Sequence, residues 1–287
     1  MREHCIRQLV GRLNERVKME PVHNPLKQLL VAAWLGLLLP AWGAPGAGSH
    51  VYDSGVSQAR RLGSDLYETL DSKYQKNLYS EPVQVEPMKA PVIVPSESGD
   101  ENKPQRLVKV SAGFIDLMNH IAHAKAIDRI QPGYFQQYIL NLSHAAAGDA
   151  PPEPPDMVDN RYWTADVMND QAGYFNQMIG MTLALNLSHH YLGHYTKFSG
   201  QMVAGKLVPI NDLLAPAEWD ASVKAATLNA LDCAFATDGP RALFEAIDKM
   251  PKRPAWADFI VPPSTDLKKL INQLRDYEAL YFKGGLK

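Results

Sequence analysis

Three histidines, His189, His190 and His194, fall within six residues near the end of the stretch Gly173–Ser199, GYFNQMIGMTLALNLSHHYLGHYTKFS. His190 and His194 are four apart. On a continuous helix they stand one turn above each other, the spacing by which a helix offers two imidazoles to one metal ion. Asn186 lies one turn before His190 on the same stripe. Upstream, His120 and His123 are three apart and share a helical face with Asp116, and His144 follows them. In all, six of the nine histidines lie between His120 and His194. This concentration supports two readings. In one, His120, His123, His144, His189, His190 and His194 supply ligands to zinc, copper, nickel or iron, all of which accept neutral imidazole. In the other they are buried, hydrogen-bonded core residues. A closed zinc site would contribute on the order of 10 kcal/mol to folding.

Helices must position these residues. Met178–Leu187 is apolar almost all round, which predicts a helix inside a core rather than on a surface. Val51–Tyr79 spaces Leu62, Leu66, Leu70, Tyr74 and Leu78 amid charge, an amphipathic helix pattern. Residues 80–104 hold five prolines and read as an extended linker or arm, with a short strand at Ala90–Val94. From Arg106 the pattern turns helical as far as the break Gln131-Pro132-Gly133. A second helix starts at Tyr134 and stops before the loop APPEPPDMVDN, which is long enough for a lid or a rim. Further helices are expected over Ala217–Thr237 and Pro240–Met250, and over Leu267–Phe282 behind a Ser264-Thr265-Asp266 cap. The block LNLSH occurs twice, at Leu140–His144 and Leu185–His189. Each copy follows a Gly-Tyr-Phe block at a different spacing, which argues against a structural repeat. The expected fold class is mainly α, with little or no sheet.

The 287 residues carry a formal net charge of −2 and no basic tract, which leaves no electrostatic footprint for nucleic acid. Two cysteines, Cys5 and Cys233, exclude a disulfide framework. Residues 27–43 have the form of an export signal: Lys27, the apolar run Leu29–Leu39, the breaker Pro40, then small residues. The run is shorter than the ~20 residues of a membrane-spanning helix. The chain therefore divides into a signal over 1–43, with Met19 as an alternative start, an amphipathic segment over 44–79, a Pro-rich linker over 80–104 and a helical domain over 105–287. Export implies a periplasmic or secreted protein, and membrane association only if the apolar segment is retained.

Several segments, taken in order, resemble gluzincin metallopeptidases of the CAAX-prenyl-protease type. Leu185–His194, LNLSHHYLGH, resembles the active-site helix, which in that group reads H-E-L-x-H with a Gly-His tail. Leu228–Asp232, LNALD, resembles the second motif, a metal-binding Glu followed four residues on by Asp. Asp238–Ala246 resembles the D-P-R-A-L-x-x-A-L helix, and Val261–Thr265 the T-H-P-P-T segment. The resemblance covers roughly residues 174–281 and implies a zincin-like helical core. On this alignment the first metal His is replaced by Leu185, the catalytic Glu by Asn186 and the third ligand by Leu228. His189 and Asp232 alone are kept. Such an enzyme needs two imidazoles and a carboxylate on zinc, with a Glu to deprotonate the bound water. An amide does not titrate, so Asn186 cannot be that base. The resemblance thus implies a peptidase-like scaffold without peptidase chemistry, for which a protein or peptide is a possible partner. In a shifted register His190 and His194 keep metal spacing, with Asp232, His120 or His123 completing a zinc site, but Tyr191 then stands where the Glu should be. The third reading is a structural or interaction module with core histidines.

The export signal has a direct test. N-terminal sequencing of exported material should place the mature terminus near Ala44, and recovery of Leu29–Leu39 in the membrane fraction would make the segment an anchor.

Overall fold

The computed structural model describes residues 53–76, 78–99, 104–145, 148–199 and 209–286. The export signal over 1–43, the alternative start Met19 and Cys5 lie outside the described residues. The described residues form nine α-helices and three strands. In order they are α1 (Asp53–Thr69), α2 (Ser72–Gln75), β1 (Leu78–Glu86), β2 (Ile93–Ser98), β3 (Gln105–Ser111), α3 (Ala112–Ile127), α4 (Tyr134–Ser143), α5 (Ala165–Tyr191), α6 (His194–Phe198), α7 (Pro216–Asp232), α8 (Asp238–Lys249) and α9 (Leu267–Phe282). The fold is mainly α with one small sheet, the expected class. No helix among the described residues is long and apolar enough to cross a membrane.

The core is built around α5, which packs against α1, α3, α7 and α8. Every residue of α5 from Met178 to His190 is buried, as the unbroken apolar run requires. The helix starts earlier than its apolar run, at Ala165, and it ends at Tyr191. There Gly193 adopts φ +83°, a left-handed backbone that glycine takes without steric cost, and the chain turns into the short α6. His194 therefore does not continue the helix that carries His190.

The Pro-rich segment 80–104 is not a free arm. It forms most of a three-stranded sheet of order β1-β3-β2, with β1 parallel and β2 antiparallel to the central β3. The strand begins at Ile93, where Ala90–Val94 had suggested one, and Arg106–Ser111 is strand rather than helix. Both prolines inside strands, Pro82 and Pro95, sit in the edge strands β1 and β2, where a missing N–H is tolerated. At the β3–α3 junction the Ser111 hydroxyl accepts from Phe114 N–H (3.0 Å) and Val92 N–H (2.9 Å) and donates to the Ala90 carbonyl (2.7 Å). One side chain thus caps the helix and ties it to the strand before it.

The loop after α4 is pinned rather than lid-like. Tyr134 and Tyr138 donate to the carbonyls of Pro155 and Pro152, and the Trp163 indole donates to Met157. The two LNLSH copies occupy different settings, the first ending α4 with His144 exposed, the second buried within α5.

Two glycines test this packing in opposite directions. A Cβ on Gly113 would lie 1.7 Å from the Lys89 carbonyl oxygen, whereas one on Gly173, within α5, meets nothing within 4 Å. Gly113→Ala should therefore destabilise by about 3 kcal/mol, and Gly173→Ala should stabilise by about 0.5–1 kcal/mol. Urea unfolding midpoints at constant m-value read both; a neutral Gly113→Ala would contradict the close approach of the 88–90 segment to α3.

Candidate functional site

The end of α5 presents two consecutive histidines, and a helix turns about 100° per residue, so they face different neighbours. His190 Nε2–H donates to the Leu107 carbonyl of β3 (2.9 Å). His189 turns toward α7 and the 3₁₀ turn Ile210–Leu213, and is 0% exposed. There it meets His194, brought back by the Gly193 turn, with 3.3 Å between the two Nδ1 atoms. The sequence pairs His190 with His194; the structure pairs His189 with His194, because the helix breaks between them.

The hydrogen bonds around this pair fix its protonation. Asn211 Nδ2 donates to the Asp258 carbonyl (3.3 Å), so its Oδ1 accepts from His189 Nε2–H (3.1 Å). His189 Nδ1 is then an acceptor. His194 Nδ1–H points between that nitrogen and Ser222 Oγ (3.2 Å), which lies 3.5 Å from His189 Nδ1. The Ser222 hydroxyl proton is used on the Glu218 carbonyl (3.0 Å). Every contact is satisfied with both imidazoles neutral. Burial agrees, pushing His189 down to about 3, with His194 beside it acting the same way and the Asn211 bond opposing. His194 is lowered too, mainly by burial.

The other candidate residues lie elsewhere. His123 Nε2–H donates to the Tyr162 carbonyl (2.8 Å) and its ring meets Trp163 edge-on. His120 sits edge-on to Tyr138, and burial with His123 nearby pushes it down to about 3. Asp232 is exposed at the end of α7 and accepts from the Tyr281 hydroxyl (2.8 Å). The helices α5 and α7 run antiparallel, with Ser222 beside His189 and Phe235 against Gly180. Asp232 is ten residues along α7 from Ser222, about 15 Å away. It does not share a cleft with His189, as the family-like spacing had required. Leu228, one turn before Asp232, is half-buried and off the stripe of buried residues that α7 turns to the core. Leu185 is buried among apolar neighbours.

Among the described residues no three His, Cys, Asp or Glu side chains come together as a group able to hold a metal ion. The donor set at His189 and His194 is two imidazoles and a hydroxyl, without the carboxylate that hydrolytic zinc centres of the His₂Glu type use. Sequence reasoning missed Asn211 and Ser222, which only the tertiary fold brings to the imidazoles. The signal it could have used was Gly193, whose position just after a helical run marks a helix end.

The buried imidazoles give the fold a pH dependence of fixed sign. His120 and His189 are held at about 3 and His190 at about 4, where burial outweighs the Leu107 hydrogen bond. All three lie below the unfolded value of about 6.5, so between these limits the unfolded chain binds more protons and stability rises with pH. Their contribution should be level above pH about 6.5 and fall as pH drops toward 4, by up to about 1.4 kcal/mol per pH unit for each histidine. Melting temperatures from pH 7.5 to 4.5, with calorimetric proton uptake on unfolding of at least about three protons at pH 5, check this. A melting temperature unchanged from pH 7 to 5 would mean that these imidazoles are not held neutral.

No family model matches this chain, and neither a curated protein nor a solved structure matches it, so the geometry alone supports a functional reading.

Proposed function

We propose that this chain is an exported helical module without peptidase chemistry that acts by binding a protein or peptide partner. The lack of peptidase chemistry is supported most directly by the hydrogen-bond network of His189, His194, Ser222 and Asn211. Both nitrogens of His189 and Nδ1 of His194 are engaged by protein groups, and His189 is out of reach of solvent. Among the described residues no carboxylate hydrogen-bonds within the network, so it lacks the Glu that deprotonates zinc-bound water in hydrolases of the His₂Glu type.

A second reading has its own observation. The three separations among His189 Nδ1, His194 Nδ1 and Ser222 Oγ are 3.2, 3.3 and 3.5 Å. Ligands about 2.0–2.1 Å from a tetrahedral zinc ion stand about 3.3 Å apart, so these atoms could be drawn onto one ion once His194 Nδ1 is deprotonated. In that reading His189 keeps its proton on Nε2, where Asn211 already accepts it, and His194 moves its proton from Nδ1 to Nε2.

Metal content of the purified chain before and after chelation separates the two, with casein hydrolysis assayed in parallel. Under the first reading metal is far below one ion per chain, chelation leaves the melting temperature unchanged, and casein stays intact with or without added zinc. Stoichiometric metal that disappears in His194→Ala establishes the second reading. Zinc-dependent hydrolysis by the unmodified chain overturns the first.

A further inference from the structure

A cleft of about 90 Å³ opens on the opposite side of α5 from the His189–His194 pair, lined by Lys73, Tyr74, Leu78, Arg106, His190 and Tyr191. A single water needs roughly 10–15 Å³ measured this way, so there is room for a small polyatomic ligand. Its polar wall is donor-rich. Lys73 brings an ammonium and Arg106 a guanidinium, while Tyr74 and Tyr191 stack with centroids 4.7 Å apart and bring two phenols. Neither phenol oxygen has a hydrogen-bond partner among the described residues, and burial raises Tyr191 above the ordinary phenol range, so it stays a neutral donor. Among the described residues no carboxylate lines the cleft.

The two cations have partners outside the cleft that do not exhaust them. Arg106 Nε donates to Glu97 (3.0 Å) and one terminal nitrogen to the Thr196 hydroxyl (3.1 Å). A guanidinium has five N–H groups, so three are left over. Lys73 is 3.7 Å from Asp71 in a pair whose side chains are 66% and 52% exposed, a weak interaction that a ligand can displace. At the inner wall His190 is 2% exposed, and its Nδ1 is buried with no hydrogen-bond partner among the described residues. An unmet buried acceptor in a polar wall is a place where an occupant's hydroxyl would complete the bonding. The geometry points to a binding site for a small oxyanion that also carries a hydroxyl, such as hydrogen phosphate, held by Arg106, Lys73 and the two phenols. Two cations on the rim also disfavour a metal ion at His190. The site is independent of the reading given to His189 and His194.

The test uses the full chain titrated with inorganic phosphate and, separately, with acetate, against chloride at matched ionic strength, followed by melting temperature and by calorimetry. Phosphate should bind saturably and raise the melting temperature. Lys73→Met, Tyr74→Phe and Tyr191→Phe should each weaken it about tenfold or more while the ligand-free melting temperature stays near that of the unmodified chain. The strongly exposed Lys73 makes its variant the one safest for folding. Saturable binding of acetate at equal strength, from an anion without a hydroxyl, overturns the pairing of anion with hydroxyl. Absence of saturable binding by both anions overturns the proposal, as does binding that Lys73→Met and Tyr74→Phe leave unchanged.

Discussion

Desolvation of imidazole governs how this protein is assembled. The end of α5 takes His189 and His190 out of water, and the middle of α3 does the same with His120 and His123. A buried imidazole must be neutral, and a buried donor left unmet costs roughly 1–3 kcal/mol. Each element that touches the end of α5 brings a partner there: β3 its Leu107 carbonyl, α7 its Ser222 hydroxyl, the 3₁₀ turn its Asn211 amide. The 3₁₀ turn Asn160–Trp163 does the same for His123 through the Tyr162 carbonyl. These contacts are directional, whereas the apolar burial around them is not, so they help to set where sheet, helix and turn meet.

The small sheet answers a different constraint. α5 and α3 are buried nearly all round and need cover that a helix pair alone does not supply. Three short strands give it, closed at the β3–α3 junction by Ser111 and by the close passage of residues 88–90 over Gly113. Its edges carry Pro82 and Pro95, and β1 has an irregular register between Leu78 and Val83. Prolines and irregular pairing both discourage a further strand from adding to an exposed edge.

Periodicity made most helices legible, and their physical signals were local. Asp266 caps α9 by accepting from Lys269 N–H, and Leu267–Phe282 has the bounds its sequence indicated. The strands were illegible for the opposite reason. Their prolines and charges read as a linker, because a short edge strand is defined by its partner and not by its own composition. α7 stops at Asp232 rather than Thr237, where Ala234 takes φ +62°. The histidines were identified as a group, but not their pairing. Spacing assigned His194 to His190, and one left-handed glycine reassigned it to His189.

That reassignment separates two environments which the sequence places side by side. His189 and His190 are adjacent residues of one type, yet a turn of about 100° sends one into a closed network and the other to the wall of a cleft. His189 has both nitrogens engaged by side chains, so any chemistry there must first displace protein hydrogen bonds. His190 has one nitrogen anchored on β3 and the other unmet, behind Arg106 and two phenols without hydrogen-bond partners among the described residues. What a histidine can do is set by the partners its second nitrogen finds. In this fold the network around His189 leaves little room for an outside group, while the wall around His190 has a bond still to make.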